Sequence, residues 1–214
     1  MTYDGLNPRL CRFYHVEDRL IHAPLLIEYG VNSERFAEIN ERYRTRHVEA
    51  DRMLKNRDWE GYIFHHERPY RLQALSRCLR GLRDDELRRG EVVRLVWLDS
   101  ENIRQHLARW RKVWGDEKPT QEELAVLATM PEPLRVFRGV GHRRGLRGIS
   151  WTLSEERAQY FATRFSDNGF VASGVVVKDS IRAYLTERNE AEVVVFPEQV
   201  RDQTIATATP LIRS

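Results

Sequence analysis

Apolar residues recur every three or four positions through much of the first part of the chain, from about residue 33 to residue 114. This spacing places them on one face of a helix. In the segment that begins at Ser33, which can cap a helix, Phe36, Ile39 and Tyr43 follow this spacing. Four leucines repeat it further along the chain: Leu72, Leu75, Leu79 and Leu82. The pattern predicts a mainly helical N-terminal part.

The apolar run at residues 92–97 has no clear period, so it fits either a strand or a buried helix. Gly81 and Gly90 are expected to separate the helical segments around it. After the run, Asp99 or Ser100 can cap a further helix.

The pattern changes near Met130. Before it, Thr120 and Glu123 have the spacing of a capping box, and Pro131 and Pro133 stop the helix that this box begins. After it, apolar and polar residues alternate as they do in strands. The predicted strands are residues 134–138, 170–177, 193–196 and 204–209, and the predicted helices are residues 155–164 and 181–185. The sequence therefore predicts an α+β protein with a helical N-terminal module, residues 1–130, and a second domain, residues 131–214.

Composition narrows the function classes only slightly. Lys and Arg number 35 against 32 Asp and Glu, and the isoelectric point is about 9.0, so polyanionic partners are permitted but not required. Cys11 and Cys78 are far apart and form no Cys-x-x-Cys pair, which disfavours a disulfide scaffold or a thiolate zinc site and fits a reducing cytoplasm. The N-terminus lacks the pattern of a signal peptide, and no apolar run is long enough for a membrane span.

The segment after Arg138 carries the first candidate site. A loop rich in glycine and arginine follows this residue, and Thr152 and Glu155 then have the spacing of a capping box. The apolar face of the helix that begins there is expected to contain Ala158, Phe161, Ala162 and Phe165. The first N–H groups of this helix, together with the nearby arginines, can hold a phosphate. Alternatively, Arg138 pairs with a core carboxylate and the loop arginines are solvated.

Two carboxylates stand at the start of a later apolar strand, at Glu190 and Glu192. Alternation along a strand predicts that both side chains lie on the same side. Adjacent carboxylates repel each other unless cations or hydroxyl groups converge on them. A functional site explains this pair better than solvation does.

Taken in order, Arg138, then Ser150-Trp151-Thr152, then Glu190-x-Glu192 resemble the Arg–Ser–Glu class of NAD-dependent mono-ADP-ribosyltransferases, which includes cholera-toxin-like and clostridial-toxin-like enzymes. The resemblance covers about residues 133–212. It implies a mixed split-sheet fold, NAD as co-substrate and no metal.

The resemblance also implies a role for each residue that surrounds NAD. Arg138 would bind the phosphate or ribose part of NAD through its fork of donors. Ser150 and Thr152 would line the pocket, where Ser150 holds the catalytic acid. Trp151 or Tyr160 would offer an aromatic wall for nicotinamide.

The acids would divide the chemistry between them. Glu192 would bind the 2′-OH of the nicotinamide ribose and stabilise the oxocarbenium-like cation that forms as nicotinamide leaves. Glu190 would orient or deprotonate the acceptor. Glu187 could be mistaken for the first acid of this motif, but Glu190 has the required spacing.

The chain departs from the family pattern in two respects. The interval from Arg138 to Ser150 is compact, and Trp151 and Leu153 occupy positions where the fuller motif has small hydroxyl residues. The NAD pocket is therefore expected to be trimmed, and Leu153 is given no ligand role.

Histidines provide weaker candidates. His65, His66 and Glu67 suggest metal ligands, but adjacent histidines diverge and no third ligand has suitable spacing, so surface or structural roles are favoured. His142 is either an NAD contact or a solvated histidine of the arginine-rich loop.

The resulting hypothesis is an ADP-ribosyltransferase that acts as an intracellular toxin or defence effector on a macromolecular acceptor. Glu190 favours protein arginine as the acceptor, whereas the arginines around the cleft favour a base of RNA or DNA. The N-terminal module is expected to recognise the acceptor or an inhibitory antitoxin or immunity protein, to shield the site, or simply to cover the sheet. The alternative is a non-catalytic, arginine-rich nucleic-acid-binding protein.

Overall fold

The computed structural model describes residues 3–100, 103–164, 166, 168–187 and 190–208, without the side chain at position 104. Contacts divide the chain into two compact units, Met1–Asn102 (unit 1) and Ile103–Ser214 (unit 2). The change of pattern near Met130 therefore falls inside unit 2. The coarse expectation is confirmed, because a mainly helical N-terminal part is followed by a sheet domain.

Unit 1 contains helices and one small sheet that the sequence did not predict. The helices are α1 (Pro8–Cys11), α2 (Phe36–Lys55), α3 (Trp59–His65), α4 (Arg71–Cys78) and α5 (Glu86–Asp99). The strands are β1 (Tyr14–His15), β2 (Leu20–Ala23) and β3 (Leu26–Glu28), which pair antiparallel in sequence order. Strands of two to four residues are too short to show alternation in a sequence.

The long helix α2 begins at Phe36, about one turn after Ser33, the residue that the sequence suggested as its cap. A 3₁₀ turn, Ser33–Arg35, precedes the helix, and Asn32 caps this turn because its side chain accepts a hydrogen bond from the Arg35 amide at 3.2 Å. Ser33 therefore does not cap α2, which has no side-chain cap of its own. Ile39 and Tyr43 on α2 are buried, as predicted.

The ambiguous apolar run at residues 92–97 is helical and lies in α5. Gly90 lies inside this helix and does not separate two segments. Asp99 ends α5 and accepts a hydrogen bond from Arg71 at 2.6 Å, while the Ser100 hydroxyl donates to the Val96 carbonyl at 2.7 Å. These side chains thus act at the end of α5, and residues 101–102, where the next helix was expected to begin, lie outside the described residues.

Unit 2 is built on one six-stranded sheet. Its strands are β4 (Leu134–Val140), β5 (Ser150–Thr152), β6 (Phe170–Val176), β7 (Ala183–Leu185), β8 (Glu192–Val194) and β9 (Arg201–Thr207). Its helices are α6 (Leu107–Gly115), α7 (Gln121–Ala128) and α8 (Glu155–Thr163). The strand order is β7-β8-β5-β4-β6-β9, and each neighbouring pair in the described residues is antiparallel, which differs from the mixed split sheet that the resemblance implies.

The predicted boundaries of unit 2 are confirmed in part. The capping box of Thr120 and Glu123 is confirmed at the start of α7. The helix expected at residues 181–185 is wrong, because these residues contribute to β7 after a short 3₁₀ turn. Strand β9 begins at Arg201, earlier than expected, and the predicted end at residue 209 lies outside the described residues.

Different clusters cover the two faces of the sheet. Val136 of β4 and Trp151 of β5 pack in one cluster with Leu127 of α7. Phe137, the residue after Val136, packs in the other cluster with Ala158 of α8. Consecutive residues of a strand point to opposite faces, so α7 and α8 pack on opposite sides of β4.

Helix α8 confirms the helix predicted after residue 154. Ala158 and Ala162 on its predicted apolar face are buried, whereas Phe165 lies outside the described residues. The helix approaches β4 closely at Gly139, where a Cβ atom would lie 1.7 Å from the Ala158 carbonyl oxygen. Only glycine fits there.

Candidate active site

The candidate site is centred on β5, which lies between β4 and β8. The capping box expected from Thr152 and Glu155 is wrong, because Ser154 caps α8 by accepting from the Arg157 amide at 3.2 Å. The Thr152 hydroxyl instead accepts from the Ser154 amide at 3.1 Å and donates to the Glu190 carbonyl at 2.5 Å. Thr152 therefore ties the start of α8 to the turn that precedes β8.

Glu192 is the first residue of β8 and is only 6% exposed. It lies directly opposite Thr152 on one side and Leu185 on the other. Residues directly opposite each other in an antiparallel pair have close side chains on the same face. Ser150, which was expected to hold Glu192, lies opposite Val194 and is therefore only diagonal to Glu192.

Glu190 precedes β8 in a bend and is half-buried. Ala191, between the two acids, has a φ of 43°, in the left-handed region. The expectation that simple alternation relates Glu190 to Glu192 is therefore wrong, because the residue between them is not extended. A left-handed residue other than glycine or asparagine costs about 1–2 kcal/mol, so the surrounding structure must hold this turn.

Arg138 lies on β4, and its guanidinium turns towards the start of β5. Its Nε donates to the Gly145 carbonyl at 2.9 Å, and its Nη1 donates to the Ser150 carbonyl. A Cβ atom at position 148 would lie 2.0 Å from Nη2, so Gly148 permits this packing. Arg138 thus joins the arginine-rich loop to β5.

The charge of Arg138 is buried near an acid. Burial lowers the pKa of its guanidinium to about 10, and the Glu192 carboxylate acts in the opposite direction. The guanidinium therefore stays charged at neutral pH.

The two aromatic candidates differ in exposure. Trp151 is 1% exposed and packs in the core of the sheet, so its ring has almost no surface to offer a ligand. Tyr160 on α8 is 41% exposed, and the Arg164 guanidinium lies 5.9 Å from its ring centroid. Of these two residues, Tyr160 is the one whose ring is open to a ligand.

The loop between β4 and β5 presents cations to solvent. It forms a 3₁₀ turn in which Arg143, Arg144 and Arg147 are exposed, and the Arg143 guanidinium lies 5.0 Å from the Phe170 ring centroid. His142, just before the turn, is exposed as well.

Two residues that position the site were missed by sequence reasoning. Gly148 was missed although it stands in a Gly-x-x-Gly segment with Gly145, a spacing that can indicate close main-chain approach. Ala191 carried no signal, since alanine does not favour left-handed backbone.

The adjacent histidines of unit 1 do diverge. His65 Nε2 donates to the Arg46 carbonyl at 3.0 Å, whereas His66 Nδ1 donates to the Tyr62 carbonyl at 2.7 Å. Over the described parts of the chain, no group of three or more His, Cys, Asp or Glu side chains is arranged to hold a metal ion.

Comparisons of the chain with protein-family models, with curated proteins and with solved structures found no match. No helix within the described ranges is long and apolar enough to cross a membrane.

Proposed function

We propose that the chain is an NAD-dependent mono-ADP-ribosyltransferase, which moves ADP-ribose from NAD to a macromolecular acceptor and releases nicotinamide. The observation that carries this proposal is the buried carboxylate of Glu192, which lies opposite Thr152 and interacts electrostatically with Arg138. The nucleic-acid-binding alternative implies an acidic pair that faces solvent, whereas Glu192 is only 6% exposed.

The chemistry needs an anion beside the anomeric carbon of the nicotinamide ribose. When the bond from C1′ to the ring nitrogen breaks, its electrons neutralise the pyridinium and positive charge develops on the ribose. A carboxylate that is 6% exposed acts on this charge through little water, so its stabilising effect is larger than at a surface. Glu192 is therefore assigned this role and also binds the ribose 2′-OH.

Glu190 is assigned to the acceptor. The Glu190 carbonyl accepts a hydrogen bond from the Thr152 hydroxyl, and Glu190 is half-buried. The turn therefore fixes the position of Glu190 relative to Glu192. A carboxylate there can pair with a guanidinium and take its proton as the bond to C1′ forms. Protein arginine is thus the preferred acceptor over a base of RNA or DNA.

Arg138 has a structural part in this mechanism besides its expected contact with NAD. Two of its nitrogens donate to main-chain carbonyls, which holds Ser150 and the preceding loop in place. Nη2 remains the donor assigned to NAD, and the exposed Arg143, Arg144 and Arg147 supply further positive charge for its pyrophosphate. Tyr160 is assigned to nicotinamide.

The biological role proposed is that of a toxin or defence effector, with unit 1 recognising the acceptor or an inhibitory antitoxin or immunity protein. The first experiment is to incubate the purified chain with NAD labelled in its adenylate part and with cell lysate, and to measure both released nicotinamide and label on macromolecules. Transfer of label with release of nicotinamide is expected. Absence of both, for a folded sample, would overturn the proposal.

A further inference from the structure

Unit 1 contains a partly open cavity of about 470 Å³ that belongs to none of the chemistry proposed for unit 2. Its wall comes from the region of α1, from α2, α3 and α4, and from the segment between β2 and β3. The volume is typical of a site for a small molecule. Every residue that lines it lies between positions 9 and 77, so the inference below is independent of ADP-ribosyl transfer.

The inner part of the cavity is built from two similar pairs of side chains. Tyr43 and His47 on α2, and Tyr62 and His66 at the end of α3, each stand four residues apart and line the cavity. In each pair the ring centroids are 4.6 Å apart. The Tyr43 hydroxyl lies 2.8 Å from His47 Nε2. These pairs place rings and polar atoms side by side, which suits a ligand with both ring and polar groups.

Positive charge dominates the lining. Arg9, Arg12 and Arg77 line the cavity against a single carboxylate among the described lining residues, Asp51, which leaves an excess of two positive charges. Arg77 Nη1 donates to the Tyr62 hydroxyl at 3.1 Å, so one cation is held by a side chain of the inner wall. Burial lowers the pKa of both His47 and His66, which favours the neutral form of each ring.

An excess of two positive charges matches the charge of one phosphate monoester, which carries about −1.5 to −2 at pH 7. Guanidinium groups also match phosphate in geometry, because each presents a planar fork of donors. Apolar side chains complete the lining, among them Phe13, Leu25 and Leu54. A free inorganic anion would leave this apolar surface unused.

We propose that the cavity of unit 1 binds a small phosphorylated molecule with a ring, whose phosphate contacts Arg9, Arg12 and Arg77 and whose ring contacts the two tyrosine–histidine pairs. The unit thereby gains a ligand-binding function of its own.

The test is calorimetric titration of the purified chain with adenosine 5′-monophosphate as the probe, and with adenosine as its uncharged match. Binding of the monophosphate and no measurable binding of adenosine are expected. The double variant Arg9→Gln, Arg12→Gln should weaken monophosphate binding by at least about tenfold. The reason is that hydrogen bonds from a guanidinium to a phosphate are stronger than those between neutral groups. Both residues are exposed, so the fold should tolerate the change.

Two further variants locate the site. Arg80→Gln removes an exposed arginine that lies outside the cavity lining, and it should leave monophosphate binding unchanged. Arg77→Gln removes the third arginine of the lining, which is also exposed, and should weaken monophosphate binding. Equal binding of adenosine and its monophosphate, or an unaltered affinity in the double variant or in Arg77→Gln, would each overturn the proposal.

Discussion

Thr152 and Glu192 face each other across the paired strands β5 and β8, and Glu192 is only 6% exposed. The threonine hydroxyl also donates to the carbonyl of Glu190, so one side chain fixes the turn that carries both acids. The two carboxylates nevertheless lie in different environments. Glu192 is buried near a cation, whereas Glu190 is half-buried at the entrance to the strand.

Glu192→Gln should reduce nicotinamide release from NAD by on the order of 100-fold or more, because the shape is kept and the charge opposite the developing cation is lost. The matched control is Glu187→Gln, an exposed acid five residues earlier, which should keep normal activity. Initial rates of nicotinamide release measure both. Near-normal release by the Glu192 variant would contradict the assigned role.

Glu190→Ala should lose transfer to the acceptor and keep part of the NAD hydrolysis, since cation formation depends on Glu192 and acceptor activation depends on Glu190. Both rates come from the same reaction with labelled NAD. Digestion of the labelled product then identifies the acceptor: release of label by protease supports protein, and release by nuclease would show that the preference for protein arginine is wrong.

The sequence predicted the long elements because each contains several repeats of its own pattern. Phe36, Ile39 and Tyr43 define the buried face of α2 without any knowledge of its partners. Strand β5 has only three residues, and its partners in β4 and β8 are distant in sequence, so its pairing could not be read from local pattern.

The residue types of the candidate site were visible in the sequence, but their surroundings were not. Trp151 is buried because α7 covers the face of the sheet to which its ring points, which is a fact of tertiary structure. Arg138 binds main-chain carbonyls, which every residue carries and no sequence motif marks. The left-handed conformation of Ala191 runs against the preference of alanine.

Gly148→Ala should destabilise the fold by about 1–3 kcal/mol and weaken NAD binding, because the new Cβ would overlap the Arg138 guanidinium. Gly115→Ala is the matched control, since a Cβ there meets nothing within 4 Å. Urea unfolding and calorimetric titration with NAD measure the two effects. If both alanine variants are equally stable, the close packing of Arg138 on Gly148 contributes nothing to the free energy of unfolding.

Ala191→Gly should leave the free energy of unfolding unchanged or raise it by up to about 1 kcal/mol, because glycine adopts the left-handed conformation without strain but loses more entropy on folding. Ala191→Val should lower it, since a β-branched residue is strongly disfavoured at positive φ. Urea unfolding distinguishes them. An order of stability with valine above glycine would show that the turn between the acids is not left-handed in solution.

The histidines of the unit 1 cavity predict a pH dependence of stability. Burial lowers the pKa of His47 and His66 below their ordinary value of 6.5, so protons bind more tightly to these residues in the unfolded chain than in the folded one. Stability therefore rises with pH wherever the unfolded chain holds more protons, and it should fall as the pH drops below about 6.5. The lowered pKa of Glu198 acts in the same direction, but only near and below its ordinary value of 4.5. The pH range between 4.5 and 6.5 is therefore assigned to the histidines.

The double variant His47→Gln, His66→Asn cannot titrate and keeps amide groups in place of the ring nitrogens. Its free energy of unfolding in urea should change less between about pH 7.5 and about pH 5 than that of the unaltered chain. An equal loss of stability in both proteins would show that other groups control this range.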